Sequence, residues 1–190
     1  MNIVIFGPPG AGKGTQSNYI VEKYKLHQLS TGELLRKEIK NKTELGQQIV
    51  SIINSGNLVS DKVVSDLIEK HISDKNYKNR LIFDGYPRNL IQVKNLETLL
   101  IKYDQKIDFV LKLSVSLETI KKRISERKTL ENRADDKENV AIKRYEMYEK
   151  NIKQVIEFYK QSNLLTVVNG EKPISEINDE ISGLIEGLKG

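Results

Sequence analysis

The stretch GPPGAGKGTQ at residues 7–16 has the residue types of a loop that binds phosphate. A P-loop is usually written as a glycine, four residues and then Gly-Lys-[Ser/Thr], which Gly12 and Lys13 fit. Glycines let successive backbone N–H groups converge on phosphate oxygens, and the lysine adds a full positive charge. Gly14 stands where the hydroxyl is expected, and Thr15 follows one position later. The motif therefore predicts a phosphate-binding loop for a nucleotide, in which a glycine replaces the usual hydroxyl residue after the lysine.

A second set of reactive side chains occurs in FDGYPRN, where Asp84 and Arg88 follow an apolar run. The carboxyl ends of parallel strands form the edge at which open α/β sheets bind ligands, so we expect both side chains to lie at a ligand-binding site. Gln92 follows one helical turn after Arg88, and its amide can both donate to and accept from a nucleobase. An unrelated Asp-Gly turn is the alternative interpretation of this segment.

A third set consists of arginines in the polar segment KKRISERKTLENRADDKENVAIKR, residues 121–144. Arg123 and Arg127 are one helical turn apart, Arg133 lies in a polar turn, and Arg144 lies on the next helix. Like charges at a spacing of one turn repel mildly in an isolated helix, so the pairing is unusual unless an anion contacts it. Taken alone, the segment favours a solvated helical hairpin, with the two aspartates at 135 and 136 as counter-charges.

The elements that must position these side chains alternate between short and long apolar patterns. Nearly continuous apolar runs predict strands that are buried on both faces of a parallel sheet, at residues 2–6, 80–83, 109–113 and 164–168, with a weaker candidate at 26–29. Longer segments with helical spacing lie between them, and Pro173 precedes the last. This alternation predicts a doubly wound α/β fold. Residues 31–71 have no strand candidate and predict a helical insertion, broken at 41–43 and 56–60.

Composition limits the kinds of protein that the chain can be. With 190 residues, of which 38% are hydrophobic, it has enough material for one core. The absence of cysteine is typical of a cytoplasmic protein, and cysteine absence together with only two histidines, His27 and His71, excludes a structural zinc site in the arginine segment. Although the net charge is +5, lysines alternate with acids, so we expect neither a nucleic-acid nor a membrane partner.

The motifs, taken in order, resemble those of the adenylate kinases and their close nucleoside-monophosphate kinase relatives. GPPGAGKGTQ is similar to the family's G-x-P-G-[AS]-G-K-G-T-Q, in which a glycine follows the lysine. LSTGELLR at residues 29–36 resembles STGDLLR, with Glu33 in place of aspartate, and GNLVS and FDGYPRN match in the expected order. The arginine segment resembles the family's short lid, in which Lys128 and Asn132 replace common glycines. The resemblance covers essentially the whole chain.

The resemblance implies a single kinase domain with a P-loop NTPase-type three-layer α/β/α fold and a five-stranded parallel sheet. The core would comprise residues 1–29, 60–121 and 137–190, with a helical NMP-binding insertion at 30–59 and a short lid at 122–136. The implied reaction is Mg·ATP + AMP ⇌ 2 ADP in a monomeric protein. A UMP/CMP kinase is the nearest alternative, and a P-loop binding protein without phosphotransfer is a more distant one.

For the donor nucleotide, the resemblance implies contacts from the phosphate loop, the arginine segment and the loop VVNGEKP, where Gly170 also falls. These ATP-binding residues are Gly10, Ala11, Gly12, Lys13, Gly14, Thr15, Arg123, Arg127 and Lys172. It implies that Asp84 holds Mg²⁺ through water. The charges that act on the transferred phosphoryl group would be Lys13, Arg88, Arg123, Arg133 and Arg144.

For the acceptor, the resemblance implies contacts from both sides of the helical insertion and from the end of the third strand. These AMP-binding residues are Thr31, Arg36, Asn57, Leu58, Val59, Gly85, Tyr86, Pro87, Arg88, Gln92, Arg133 and Arg144. Relatives that accept pyrimidine monophosphates tend to carry alanine and asparagine where this chain has Thr31 and Gln92, so both positions favour AMP. The relatives also suggest a cis bond between Tyr86 and Pro87.

Overall fold

The computed structural model describes residues 1–131 and 138–188 and contains a five-stranded parallel sheet. The strands are β1 (Ile3–Phe6), β2 (His27–Ser30), β3 (Leu81–Asp84), β4 (Phe109–Ser114) and β5 (Leu165–Asn169). Their order across the sheet is β2-β3-β1-β4-β5. The predicted α/β class and all five strands are therefore confirmed, including the weaker candidate at β2.

Eight helices pack on the two faces of this sheet or extend from it within the described residues. They are α1 (Lys13–Tyr24), α2 (Thr31–Lys40), α3 (Glu44–Asn54), α4 (Asp61–Ile72), α5 (Leu90–Lys102), α6 (Leu117–Glu131), α7 (Glu138–Gln161) and α8 (Ile174–Gly187). A short 3₁₀ helix spans Lys75–Tyr77. Helix α1 begins at Lys13, because the left-handed backbone of Gly12 ends the loop there.

The central strand β1 contributes side chains to both hydrophobic cores, one on each face of the sheet. Its side chains alternate between the two faces, so Val4 and Phe6 enter one core while Ile3 and Ile5 enter the other. The first core also contains apolar side chains of α4, α5 and α7, and the second contains those of α1 and α8. A strand that is buried on both faces must be apolar throughout, which is the pattern that its sequence shows.

The strand order places a binding crevice beside β1. The chain leaves β1 toward β2 at one edge of the sheet and leaves β3 toward β4 on the other side of β1. Connections that depart in opposite directions leave a gap outside the carboxyl ends of the strands, which is where open α/β sheets bind ligands. Ile5 of β1 pairs with Asp84 of β3, so the two loops that follow these strands are neighbours.

The helical insertion after β2 consists of α2 and α3, followed by a connection to α4. Thr43 caps α3 by accepting from the Gly46 N–H at 3.0 Å, and a Cβ at Gly46 would lie 2.1 Å from the Glu38 carbonyl oxygen. Only a glycine allows α3 to approach α2 so closely. The predicted breaks at 41–43 and 56–60 are confirmed, because no helix covers either segment.

The predicted lid overlaps a continuous helix, because α6 runs without a break from Leu117 to Glu131. Residues 132–137, which include Arg133 and Asn132, lie outside the described residues. The bounds of the NMP-binding insertion and the lid as functional units stay a prediction. Among the helices of the described residues, none combines the length and apolarity that crossing a membrane requires.

Candidate active site

The phosphate loop joins β1 to α1 and depends on two glycines in left-handed conformations. Gly10 has φ +83° and Gly12 has φ +91°, a region that residues with a Cβ rarely adopt. A Cβ at Gly10 would also lie 3.0 Å from Ile124 Cγ1 of α6. Gly14 differs from both, because a Cβ there would meet nothing within 4 Å. The fold therefore requires glycine at 10 and 12, whereas it leaves open space beside position 14.

Lys13 directs its ammonium back at the phosphate loop. Its Nζ donates to the carbonyl oxygens of Gly7 at 2.8 Å and Pro8 at 3.1 Å. The residue as a whole is partly exposed, but its ammonium group is enclosed, and this burial lowers the pKa of Lys13 to about 8. The negative charge of Asp84 raises this pKa, whereas the positive charge of Arg88 lowers it further. A cation that is separated from water and held by carbonyl oxygens favours a phosphate that replaces them.

The loop after β3 brings a carboxylate and a guanidinium to the same sheet edge. Arg88 Nε donates to the Gly85 carbonyl at 2.6 Å, and the Tyr86–Pro87 peptide bond is cis, as predicted. Burial lowers the pKa of Arg88, Asp84 opposes that effect, and Arg36 adds to it. Asp84 is almost fully buried and accepts a long bond of 3.4 Å from Gln28 Nε2. Positive charge thus accumulates around one buried carboxylate.

Thr31 and Arg36 approach this loop from α2. The Thr31 hydroxyl donates to the Gly85 carbonyl at 3.0 Å, and the backbone of Gly85 has φ +77°. A Cβ at Gly85 would lie 3.0 Å from both Thr31 Oγ1 and Arg88 Nη2. The guanidinium of Arg36 lies over Gly32, whose Cβ would meet its Nη1 at 3.2 Å. The start of α2 and the end of β3 are therefore held together at the predicted acceptor side.

Gln92 is buried and engaged at both ends of its amide. Its Nε2 donates to Asp61 Oδ1 at 2.6 Å, and its Oε1 accepts from the Arg88 N–H at 2.7 Å. Asn89 caps α5 by accepting from the Gln92 N–H at 2.8 Å and also donates to both oxygens of Asp61. Sequence analysis placed Gln92 at this site but missed Asp61, which directly follows the GNLVS motif.

One cavity brings most of the acceptor residues together. The residues from sequence analysis that line it are Lys13, Thr31, Arg36, Asn57, Leu58, Val59, Gly85, Pro87, Arg88, Gln92 and Arg144. Helix α7 adds Met147, Tyr148 and Asn151, to which sequence analysis assigned no role in the site. The Tyr148 hydroxyl is buried, and burial raises its pKa. Lys13 of the phosphate loop therefore shares a cavity with three acceptor-side arginines.

Tyr86 occupies a different place from its neighbours. Its side chain is fully buried in the hydrophobic core that also contains Phe83, and it does not belong to the cavity lining. Burial raises the pKa of its hydroxyl to about 12. The aromatic ring of Tyr86 thus anchors the loop after β3 in the core.

The predicted donor side is organised around Arg123 of α6. Its Nη1 donates to the Ala11 carbonyl at 3.3 Å, and its Nη2 donates to the Gly170 carbonyl at 2.9 Å. Arg123 therefore joins the phosphate loop to the loop after β5. Lys172 lies in the same loop, but its ammonium pairs with Glu180 of α8 at 2.8 Å. Arg127 lies on the next turn of α6 and is close enough to Lys13 to lower its pKa.

Glu171 also holds this loop, a role that sequence analysis missed. Its Oε1 accepts from the Ser116 hydroxyl at 2.6 Å, the Ser116 N–H at 3.0 Å and the Thr119 hydroxyl at 2.8 Å. These hydrogen bonds lower the pKa of Glu171 to about 2. A Cβ at Gly170 would lie 2.7 Å from Val115 Cγ2, so the loop also needs glycine there to pack against the chain before α6.

The two histidines lie together. The His27 ring stacks on Tyr77 with centroids 3.7 Å apart and lies 5.5 Å from the His71 ring. Burial lowers the pKa of both histidines. Neither histidine lines the cavity.

The fold and this site define a P-loop phosphotransferase. A P-loop follows the central strand of a parallel sheet, and a second set of cationic side chains faces it at the same sheet edge. Two cationic regions that share one cavity suit a phosphoryl group that moves between two anionic ligands.

Comparison with known proteins identifies the family. The family model described as adenylate kinase matches residues 5–164. The adenylate kinase of Pelagibacter ubique (strain HTCC1062) is 40% identical to this chain over 212 aligned positions, which cover 98% of this chain and all of that protein. That of Porphyromonas gingivalis (strain ATCC 33277) is 39% identical over 189 positions, covering all of this chain and 97% of the relative. The chain belongs to the adenylate kinase family, and it is accordingly a nucleotide-binding kinase.

The similarity also includes a relative whose alignment is longer than this chain. The adenylate kinase of the archaeon Archaeoglobus fulgidus is 33% identical over 216 positions, which cover the full length of both chains. The 216 aligned positions exceed the 190 residues of this chain, so that relative contains residues that this chain lacks.

Proposed function

We propose that the protein transfers the γ-phosphoryl group of Mg·ATP to AMP and forms two molecules of ADP. The observation that carries this proposal is the shared cavity, in which Lys13 of the phosphate loop lies with Arg36, Arg88 and Arg144. The pKa of Lys13 is lowered in part by the nearby charges of Arg88 and Arg144, so these cations act on the same space. Four cations around one cavity match the charge of two phosphate chains that meet end to end.

The proposed chemistry needs no covalent intermediate with the enzyme. A phosphate oxygen of AMP attacks the γ-phosphorus in line, and the bond to the β,γ-bridging oxygen of ATP breaks. Lys13, Arg88, Arg123 and Arg144 supply positive charge to the transferred group, together with Arg133 from outside the described residues. The protein accelerates the reaction by holding both nucleotides in line and by opposing the negative charge that spreads over the phosphoryl oxygens.

Asp84 is the proposed partner of Mg²⁺. Mg²⁺ keeps several waters and is bound in kinases by one or two carboxylates together with substrate phosphates. Asp84 fits this requirement, because it is a buried carboxylate at the end of β3, beside the phosphate loop, and its charge acts on Lys13. The bound metal would neutralise charge on the β- and γ-phosphates.

For the acceptor, we assign the AMP phosphate to Arg36 and Arg88 and the base to the far end of the cavity. A guanidinium can hold a phosphate through two parallel hydrogen bonds. Thr31, Gln92 and the backbone of residues 57–59 line the remaining wall and are assigned to the adenine. The types at Thr31 and Gln92 favour AMP over UMP or CMP, as in sequence analysis.

For the donor, we assign the triphosphate to the backbone from Gly10 to Thr15 and the adenine to the loop that contains Gly170. Arg123 supports this assignment, because it connects the two segments directly. Arg127 is assigned to the ATP phosphates. Lys172 is assigned to the donor side, where ATP would compete with Glu180 for its ammonium. We further propose that the enzyme is a cytoplasmic monomer, for which a single species of about 22 kDa in sedimentation is the test.

The experiment that tests the proposal is a comparison of acceptors. Initial rates of phosphoryl transfer from Mg·ATP are measured with AMP, UMP, CMP and GMP in parallel, and repeated with excess EDTA. We expect fast ADP formation with AMP only, and loss of the rate in EDTA. A preference for UMP or CMP would overturn the assignment of Thr31 and Gln92, and transfer to none of the four would overturn the proposed function.

A further inference from the structure

Asp61, the first residue of α4, contacts Gln92 in the cavity wall without any part in the chemistry proposed above. Its Oδ1 accepts from Gln92 Nε2 at 2.6 Å, which is short for a hydrogen bond from an amide nitrogen. Its two oxygens also accept from Asn89 Nδ2 at 3.1 and 3.2 Å. A carboxylate is thus fastened to the amide that borders the proposed site for the acceptor base.

The amide of Gln92 is held in one orientation. An ionised carboxylate can only accept hydrogen bonds, and a backbone N–H can only donate. Asp61 therefore requires the amide nitrogen on its side, and the N–H of Arg88, 2.7 Å from Oε1, requires the oxygen on the other. Turning the amide over would place oxygen against carboxylate and NH₂ against N–H. The positions of nitrogen and oxygen in a side-chain amide are assigned from its hydrogen-bond partners, and both partners of Gln92 agree on one orientation.

We propose that Asp61 is a positioning residue that sets which base the acceptor site takes, by fixing the polarity of the Gln92 amide. The inference rests on the proposed function, in which Gln92 meets the base. After its two protein contacts, the amide keeps one N–H and one acceptor position on Oε1. Adenine offers the complementary pair, a donor at N6 and an acceptor at N1 or N7. Hypoxanthine offers an acceptor at O6 and a donor at N1, which would need the amide turned over.

A purely supporting role for Asp61 makes a different prediction. Asp61 ties the start of α4 to Asn89, which caps α5, so its loss could simply loosen the cavity wall. A looser wall would weaken AMP and IMP alike, because both nucleotides share the same ribose and phosphate. If Asp61 instead holds the Gln92 amide in one orientation, its loss would reduce the preference for AMP over IMP. The ratio of the two substrates therefore separates positioning from support.

The test measures kcat/KM for AMP and for IMP, which carries hypoxanthine, in three proteins. Asp61→Asn replaces the carboxylate with an amide that can donate or accept, so only the Arg88 N–H still opposes the turned orientation of Gln92. The matched control is Asp66→Asn on the same helix, because Asp66 pairs with Lys62 at 3.0 Å on the surface. We expect the AMP/IMP ratio to fall by at least about tenfold in Asp61→Asn, the scale of one bidentate base contact, and to stay at the wild-type value in the control.

Two more variants keep the test decisive. Asp61→Ser also offers a group that donates or accepts, and we expect the same fall; it replaces Asp61→Asn if that variant does not fold. Asp61→Glu keeps a group that only accepts, and we expect it to retain most of the selectivity. Equal losses for AMP and IMP, or an unchanged ratio in a folded variant, would overturn the inference. A wild-type enzyme that phosphorylates UMP or CMP instead of AMP would overturn the proposed function itself.

Discussion

The acceptor and donor sides of the cleft are built in different ways. On the acceptor side, side chains hold one another: Thr31 and Arg88 both bond to the Gly85 carbonyl, and Asp61 holds the amide of Gln92. On the donor side, the features that matter are backbone conformations, such as the left-handed Gly12, together with a few side chains that join loops. One site is lined by specific polar groups in a cavity, and the other presents N–H groups at a helix start.

The two sides therefore differ in the part of a nucleotide that each can recognise. Backbone N–H groups at the start of α1 bind the phosphate chain of any nucleoside triphosphate, because phosphates carry no information on the base. Fixed side-chain amides and hydroxyls distinguish one base from another, because a mismatched base leaves buried groups without partners. We therefore expect stricter base selectivity at the acceptor side than at the donor side.

The largest effect is expected on the acceptor side, from Arg88→Ala. Burial lowers the pKa of Arg88, and the Gly85 carbonyl holds its guanidinium in position. Loss of a preorganised charge partner should lower kcat by at least about 10²-fold. The measurement is kcat with both nucleotides saturating. Arg80→Ala is the control, because Arg80 bonds to the Lys25 carbonyl near the amino end of β3. Activity of Arg88→Ala similar to wild type would remove Arg88 from the mechanism.

On the donor side, we expect ATP affinity to depend on pH through Lys13. The pKa of Lys13 is about 8 in the folded protein against 10.5 in the unfolded chain. Because the unfolded chain binds more protons between these values, this group makes the free energy of unfolding rise as the pH rises through that window. ATP binding behaves in the opposite way, since it needs the protonated form.

Calorimetric titration with ATP alone checks this expectation. The dissociation constant should be nearly constant between about pH 7 and about pH 8, and then rise by up to about tenfold per pH unit. Lys13→Arg is the matched control, because arginine stays protonated throughout, and its curve should be flat wherever binding is measurable. A wild-type curve as flat as that of the arginine variant would contradict the assignment.

A smaller effect is expected where Glu171 holds the donor loop. Removing its carboxylate in Glu171→Ala frees the loop from Ser116 and Thr119 and so lets the Gly170 carbonyl move relative to Arg123. We expect KM for ATP to rise by about threefold to tenfold, with KM for AMP unchanged, because the two sides are held separately. Glu118→Ala, on the exposed first turn of α6, is the control. Equal changes in both KM values would show that the two sides are coupled.

The smallest effects concern folding and separate two glycines of the phosphate loop. Gly12→Ala should lower the free energy of unfolding by about 1–2 kcal/mol, the cost of a left-handed backbone for a residue with a Cβ. Gly14→Ala should leave it unchanged or raise it by up to about 1 kcal/mol, because α1 has open space there and alanine favours helix. Urea unfolding monitored by circular dichroism provides both values. A large loss in Gly14→Ala would mean that the fold, and not a ligand, requires this glycine.

Sequence patterns predicted the sheet well because β1 and β3 are buried on both faces, which demands unbroken apolar runs. The phosphate loop was equally predictable, since its left-handed backbone demands glycine at defined positions. Asp61 and Glu171 were not predictable, because a carboxylate in a sequence does not reveal which distant side chain it will meet. The motif around Tyr86 suggested a place in the acceptor site, but its ring lies in the core, because a motif does not reveal which way each of its side chains points.

Backbone NMR of the free enzyme can show whether the cleft has two separate nucleotide sites. AMP and ATP are titrated separately, each without the other, and the shifted N–H signals are mapped. We expect AMP to shift the signals of Thr31, Gly85 and Gln92, and ATP to shift those of Gly14 and Gly170. Shifts from AMP that concentrate at Gly14 and Gly170, with Gln92 unaffected, would contradict this expectation.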